Sequence, residues 1–316
     1  DASPIRARIS AEALEQAGFD RLALSSRDAI QLEDGLNLGA NRALPLKEVK
    51  LDAARIETMG GDATITADAV RLGNYDGYRV GGDGAYSGTG VLKADARLLE
   101  LAGNLRLRGM ARSELTGTGE VRLSGTSPAL APARPSARIE TAADLVLQGA
   151  VVAPGTYSQA SILAPGKTVT FSRTTDTPVQ PLSALGSLSV EAANIVQDGN
   201  LWAPFGQISL KASDTLVFKD GSLTSVSAAP GSLIPFGKLQ NGRDWVVDIA
   251  PTRVPTGQIK QDVLAEKSIR TEASSVDMQA GAKIDISGGG DLQAYEFTVG
   301  PGGSRDILAD KNTYAI

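Results

Sequence analysis

The residue types able to do chemistry near neutral pH are sparse in this chain. Its 316 residues include no His and no Cys, which removes Ser-His-Asp and Cys-nucleophile catalysis, thiolate zinc sites, iron–sulfur clusters and disulfides. Carboxylates, Lys and Arg remain, and that set suffices for acid–base cleavage of polysaccharides. Asp198, Asp214 and Asp220 are the candidates for such a cluster. Asp198 and Asp220 each precede a Gly, at 199 and 221, in equivalent turns of a repeat. A turn role accounts for them without chemistry, so no catalytic residue is expected.

Two glycine-rich turns could supply oxygen ligands to calcium. Gly81-Gly82-Asp83-Gly84, close to Asp76-Gly77, is similar to one turn of a nonapeptide β-roll but lacks the tandem copies that such sites need. Gly288-Gly289-Gly290-Asp291 has the same shortcoming, and neither is followed by the Lys-Ser/Thr of a phosphate loop. Ordinary turns are the expectation for both, with no metal and no cofactor. Phe236, Arg243 and Trp245 are the candidate ligand-binding residues, being types enriched in recognition hot spots and sugar-stacking surfaces. The competing role for Trp245 is to cap a local hydrophobic core.

The elements that would position these residues are short and thin-cored. The chain has 35 Gly and 15 Pro against 2 Trp, 6 Tyr and 6 Phe, a balance suited to many small strands joined by tight turns. A hydrophobic fraction of 42% still supports a folded core. Basic and acidic residues, 31 and 36, are interleaved to a net charge of -5, which leaves no basic stripe for nucleic acid. No apolar run is long enough for a membrane-spanning helix. The opening Asp1-Ala2-Ser3-Pro4 has no Met and no signal-type apolar segment, and it reads as the start of an excerpt from a longer chain. Lack of Cys fits export through an oxidising compartment.

Internal repeats organise the rest. Leu188, Val190 and Ala192 alternate with Ser189 and Glu191, and Ile208, Leu210 and Ala212 alternate with Ser209 and Lys211. A polar step follows each copy, at Ala193-Asn194 and Ser213-Asp214, then an apolar run, then Asp-Gly. A third copy begins at Ile269, Thr271 and Ala273, continues through Val276 and Met278, turns at Gly281 and runs through Ile284 and Ile286. Units of about 20 residues with period-two apolar faces predict an all-β, right-handed parallel β-helix. Some 12 to 15 coils at roughly 4.8 Å each would then make a rod of about 60–70 Å. An open end of such a stack is expected to fray or to associate end to end unless covered. Ala-Pro punctuation at Ala153-Pro154-Gly155, Ala164-Pro165-Gly166 and Ala203-Pro204-Phe205-Gly206 is expected to end one strand and start the next.

The boundaries follow from this pattern. Residues 1–125 are N-terminal coils, with a short helix at 11–17 ended by Gly18. Within them, Ala67-Asp68-Ala69 leading to Leu72 aligns with Ala94-Asp95-Ala96 leading to Leu101, and Leu51 to Ile56 is a weaker relative. Residues 126–136 are a Pro-rich loop, 137–228 regular coils, and 263–316 C-terminal coils. Between the last two, 229–262 carries four Pro with Phe236 and Trp245 and reads as an excursion from the solenoid, with a hairpin of Trp245-Val246-Val247 against Asp248-Ile249.

The segments Asn200-Leu-Trp-Ala-Pro-Phe-Gly-Gln-Ile-Ser-Leu-Lys-Ala212, Asp220-Gly-Ser-Leu-Thr-Ser-Val-Ser227 and Ile284-Asp-Ile-Ser-Gly-Gly-Gly-Asp-Leu292 resemble filamentous-haemagglutinin-like exoproteins of two-partner secretion systems. So do Ile9-Ser-Ala-Glu-Ala-Leu14 with Gly18-Phe19, and Leu22-Ala-Leu24 with Asp28-Ala-Ile30. The resemblance covers most of the chain and is strongest from about residue 185 onward. It implies a right-handed parallel β-helix, secretion to the surface of a Gram-negative cell through an outer-membrane β-barrel transporter, and a role in adhesion to a host-cell glycan or protein receptor. The transporter would act on a secretion domain that is not recognisable in this sequence, leaving this stretch as shaft. A carbohydrate-active β-helix enzyme is the alternative.

Overall fold

A computed structural model of the chain describes residues 7–40, 42, 45–78, 84–127, 134–240, 242–248, 258–261 and 266–296. The fold is all-β, with one helix among the described residues. Among the described residues, eighteen strands belong to a single sheet system whose strand-to-strand pairings are parallel, and four belong to a second, smaller sheet. Three columns of inward side chains run through the large system. In the first, Leu22, Val49, Val70, Leu99, Val121, Val152, Leu201, Thr224 and Ile284 stand side by side, layer upon layer. The second passes through Leu38, Ile65, Ala94, Leu115, Leu147, Phe171, Gln197, Phe218 and Met278. The third includes Leu105, Ile139, Ile162, Val190, Leu210 and Thr271.

Alternation within each strand sets the columns. Along Ser187–Asp198, Leu188, Val190, Ala192, Ile195 and Gln197 are buried, and parity changes once, where the ladder register shifts between Ala192 and Asn194. Each fully buried Leu, Ile, Val or Phe contributes about 1.5–3 kcal/mol, so stacked columns carry the fold. The repeat alignment from sequence is the observed register here: Leu188 lies beside Ile208 and Ile208 beside Ile269, while Val276 and Met278 lie beside Leu216 and Phe218.

Three expectations need correction. Among the described residues the layers number nine rather than 12 to 15, because loops and the second sheet lengthen the path between column neighbours to as much as 61 residues, as from Leu210 to Thr271. In the N-terminal half, Leu72 does pair with Leu101, but Ile65 rather than Ala67 pairs with Ala94. A two-residue slip keeps the same side chains inward, so alternation alone could not exclude it. Finally, Ala164-Pro165-Gly166 does not end a strand. Ala164 is buried and paired with Ala192, and Pro165-Gly166 forms an exposed bulge within Gln159–Arg173, where the missing Pro N–H costs no ladder bond.

The first layer is covered in part. Helix Ala11–Gln16 is capped by Ser10, whose Oγ accepts from the Ala13 N–H at 3.1 Å. Leu14 and Phe19 pack on the main core. The Arg42 guanidinium donates to the carbonyls of Leu14, Glu15 and Phe19 at 3.2, 3.1 and 2.8 Å and lies 5.2 Å over the Phe19 ring. The last layer differs: Val276 and Met278 are 52% and 50% exposed, while their column neighbours Leu216 and Phe218 are 0% and 1% exposed.

The second sheet leaves the ladder between Ser225 and Ser268. Leu233–Gln240 and Asp244–Asp248 form an antiparallel hairpin with Leu239 opposite Trp245, and Gln258–Lys260 pairs antiparallel with Asp244–Asp248. The expected partner of Trp245-Val246-Val247 is therefore corrected: Asp248 continues the same strand, the chain reverses between Gln240 and Asp244, and Ile249 lies outside the described residues. Asp291–Glu296 joins this sheet parallel to Leu233–Gln240 instead of adding a coil. Its apolar residue Leu292 pairs with Ile234 over a small separate core, a burial that the open end of the ladder would not provide.

Candidate functional site

Phe236 and Trp245 come together on the inner side of the second sheet. Phe236 is buried with Ala184, Leu185, Ala228, Ile234 and Val247. The Trp245 ring stands edge-on to it at 6.1 Å and 64°, and the indole N–H donates to the Phe236 carbonyl at 2.8 Å. Tyr157 meets Phe236 from the opposite side at 6.2 Å, under the Arg134 guanidinium at 4.7 Å. Arg243 stands apart, exposed at the turn of the hairpin, with its backbone N–H donating to Gln240. The three residues thus do not form one recognition surface.

The floor under these rings is made by three corners of the ladder. Tyr157, Leu185 and Phe205 all have left-handed backbones, at φ 56°, 58° and 56°. For side chains of this size that costs on the order of 1–2 kcal/mol each. Each is held by its own N–H, which donates to Ala184, Pro204 and Val226 of the adjoining layer at 2.9, 3.0 and 3.0 Å. The gain is that the side chains of Tyr157, Leu185 and Phe205 point into the small core.

The acidic candidates are dispersed. Asp198 pairs with Arg173 at 2.7 Å, and the same guanidinium donates to the Asp220 carbonyl at 3.0 Å, so one arginine ties two stacked Asp-Gly turns. Asp214 lies at the far end of Thr215–Phe218, about 20 Å of extended chain away. No group of three carboxylates able to hold a metal occurs among the described residues. Gly81, Gly82 and Asp83 lie outside them. Gly289 and Gly290 form a close-packed neck, whereas Gly288 stands clear of its neighbours: a Cβ on Gly289 would stand 2.4 Å from the Ala228 carbonyl oxygen, and one on Gly290 2.7 Å from the Ala228 Cβ.

A more concentrated polar cluster went unseen in the sequence. Lys50, Arg71, Glu100 and Arg122 form one outward column. Tyr75 folds over it, its N–H donating to Asp52 at 2.8 Å, its hydroxyl to Glu100 at 2.9 Å, and its ring lying 4.1 Å from the Lys50 ammonium. Arg71 bridges Glu48 and Glu100 at 2.7 and 3.0 Å, and the Ser124 hydroxyl donates to the other Glu100 oxygen. Gly73 leaves the room, since a Cβ there would meet the Tyr75 ring at 2.9 Å. Burial, and then the Glu100 charge, push the Tyr75 phenol far above its ordinary range. A neutral hydroxyl fixed on a carboxylate is a donor and a poor general base. The cluster straps the chain leaving Asn74 to the ladder.

No helix of the described residues is long and apolar enough to cross a membrane. The chain matches no protein-family model, no curated protein and no solved structure.

Proposed function

We propose that this chain is a structural shaft segment of a large bacterial adhesin, secreted or displayed at the surface of a Gram-negative cell, and that its parallel layers coil as a right-handed β-helix. The observation that carries the reading is the nine-residue column from Leu22 to Ile284, in which every neighbour is a parallel-ladder partner. Nine layers at about 4.8 Å give a rod of about 40 Å, and repetition of the pattern along a longer protein would project binding regions from the cell. Its partners would be an outer-membrane β-barrel transporter acting on a secretion domain, and a host-cell glycan or protein receptor. The reading is non-enzymatic, since the polar clusters are internally paired.

Small-angle scattering of the purified chain should give the cross-section of a rod, and incubation with pectate, alginate and glycosaminoglycans should release no reducing ends or unsaturated uronates. Turnover of any of these polymers would replace the shaft with a carbohydrate-active β-helix enzyme. Trp245→Ala should lower the melting temperature and leave attachment to host cells unchanged; lost attachment with an unchanged melting temperature would make Trp245 a ligand residue.

A further inference from the structure

We propose that the second sheet is a flap: it comes away from the corner floor made by Tyr157, Leu185 and Phe205 and unfolds as one unit while the ladder stays intact, with Gln180 as its clasp. Leu233–Gln240 pairs with Asp244–Asp248 and Asp291–Glu296, and none of the three shares a backbone hydrogen bond with the large sheet among the described residues. Apolar packing holds them to the floor instead, with Ile234, Phe236 and Val247 buried there and Trp245 and Leu292 beside them. A ladder strand has both kinds of support. Ser187–Asp198, for example, is paired along both edges, to Gln159–Arg173 and Gln207–Phe218, as well as packed on the main core. A unit with fewer restraints opens at a lower free energy than the structure that carries it.

The floor stays behind when the sheet leaves. The N–H groups of Tyr157, Leu185 and Phe205 are committed to adjoining layers, and the Arg134 guanidinium donates to the Tyr157 carbonyl at 3.0 Å and to the Leu185 carbonyl. Two necks form the joint. One passes through Gly231, at φ 74°, and the other through Gly290, at φ 66°, backbones that glycine adopts without strain. The Asp291 N–H donates to the Ser232 carbonyl at 2.8 Å, so the necks are tied and move together. Gln180, in the loop between Gln159–Arg173 and Ser187–Asp198, closes over the turn from Ala229 to Ser232. Its amide N–H donates to the Ser232 hydroxyl at 3.0 Å, and its carbonyl accepts from the Ala229 N–H. Opening bares the rings of Tyr157, Phe205, Phe236 and Trp245 beside Arg134, an aromatic surface that the closed sheet covers. Such opening is independent of the shaft reading, because the ladder keeps its layers throughout.

The chain's two tryptophans report one part each: Trp245 lies in the second sheet, and Trp202 in the ladder strand Asn200–Trp202. In the full chain grown with fluorotryptophan, fluorine NMR across a urea titration should show the Trp245 signal reach its unfolded position while the Trp202 signal is still native. Without denaturant, amides of Asp244–Asp248 should exchange at least about a hundredfold faster than those of Ser187–Asp198. Gln180→Ala should raise the fraction with Trp245 released and Trp202 native about tenfold at a given urea concentration, since it leaves the Ala229 N–H without its partner. Val247→Ala should act in the same direction from inside the sheet, and Trp202 should keep its midpoint in both variants. Coincident loss of the two signals in the parent chain would show a single cooperative unit and overturn the flap. A Gln180→Ala chain indistinguishable from the parent would overturn the clasp, and equal shifts of Trp245 and Trp202 in either variant would overturn both.

Discussion

Between Leu22 and Gly149 the outward side of the ladder is threaded with charge, whereas between Ser187 and Phe218 it carries mainly hydroxyls and amides. In the first region Arg55 reaches Asp28 and Glu57 at 2.6 and 3.3 Å, Glu57 reaches Arg108 at 3.5 Å, and Glu140 takes both Arg106 and Arg138. In the second, the corresponding outward column is Ser161, Ser189 and Ser209. The apolar columns are alike in both, so the contrast lies in what fixes register. Where the apolar repeat is loose, a two-residue slip would move Arg106 from beside Glu140 to beside Arg138, so this cross-strand pair favours one alignment. Where the repeat is tight, the outward side is released from that task.

Five substitutions test this contrast, beginning with the most damaging and its neutral control. Glu57→Ala leaves the nearly buried Arg55 and Arg108 without their shared carboxylate and should cost about 3–5 kcal/mol in urea unfolding, while Ser189→Ala on the neutral side should stay within about 0.5 kcal/mol. Comparable losses at both positions would erase the distinction. Glu140→Gln should cost about 1.5–3 kcal/mol, the worth of a hydrogen bond to a charged group. At Glu140 burial acts to raise the pKa, but hydrogen bonds from Arg106 and Arg138 prevail and hold it below its ordinary value of 4.5. The unfolded chain therefore takes up the proton first: this stabilisation is full above about pH 4.5 and is lost as the pH falls through the lower folded value. Glu140→Gln should flatten that acid limb of the stability–pH curve, and an unchanged limb would assign it to other carboxylates. Tyr75→Phe should cost about 1 kcal/mol, because Arg71 and Ser124 still serve Glu100. Lys47→Ala breaks an exposed pair with Asp20 and should shift the urea midpoint by less than about 0.5 kcal/mol equivalent; a larger effect would show that exposed pairs also set register.

The same contrast explains what could be read from the sequence. Around Leu188 and Ile208 the strands Ser187–Asp198 and Gln207–Phe218 are equally long and each leads into an Asp-Gly turn, so residue type alone gives the register. Ala67 was aligned with Ala94, which lies beside Ile65, because alternation cannot count in twos. The Tyr75 cluster was invisible for a related reason. Glu100 meets Tyr75 and Ser124 across 25 and 24 residues, and only the stacking of layers makes scattered charges neighbours. A core-capping role for Trp245 was legible, but the rest of that core was not, because Tyr157 and Leu185 reach it from distant corners through left-handed backbones. Arg243 was grouped with Phe236 and Trp245 by residue type and by its place in the same segment.

Layers of unequal chain length have a mechanical consequence. If tension is applied along the stacking axis and a layer lets go, the slack it yields is set by the residues stored between its ladder contacts. Asn194 to Thr215 spans 21 residues and would release about 70 Å, whereas Ser225 to Asp285 spans 60 and would release about 200 Å. A pulled molecule of this kind would lengthen in steps of different size, with the second sheet serving as the largest reserve of extensible chain.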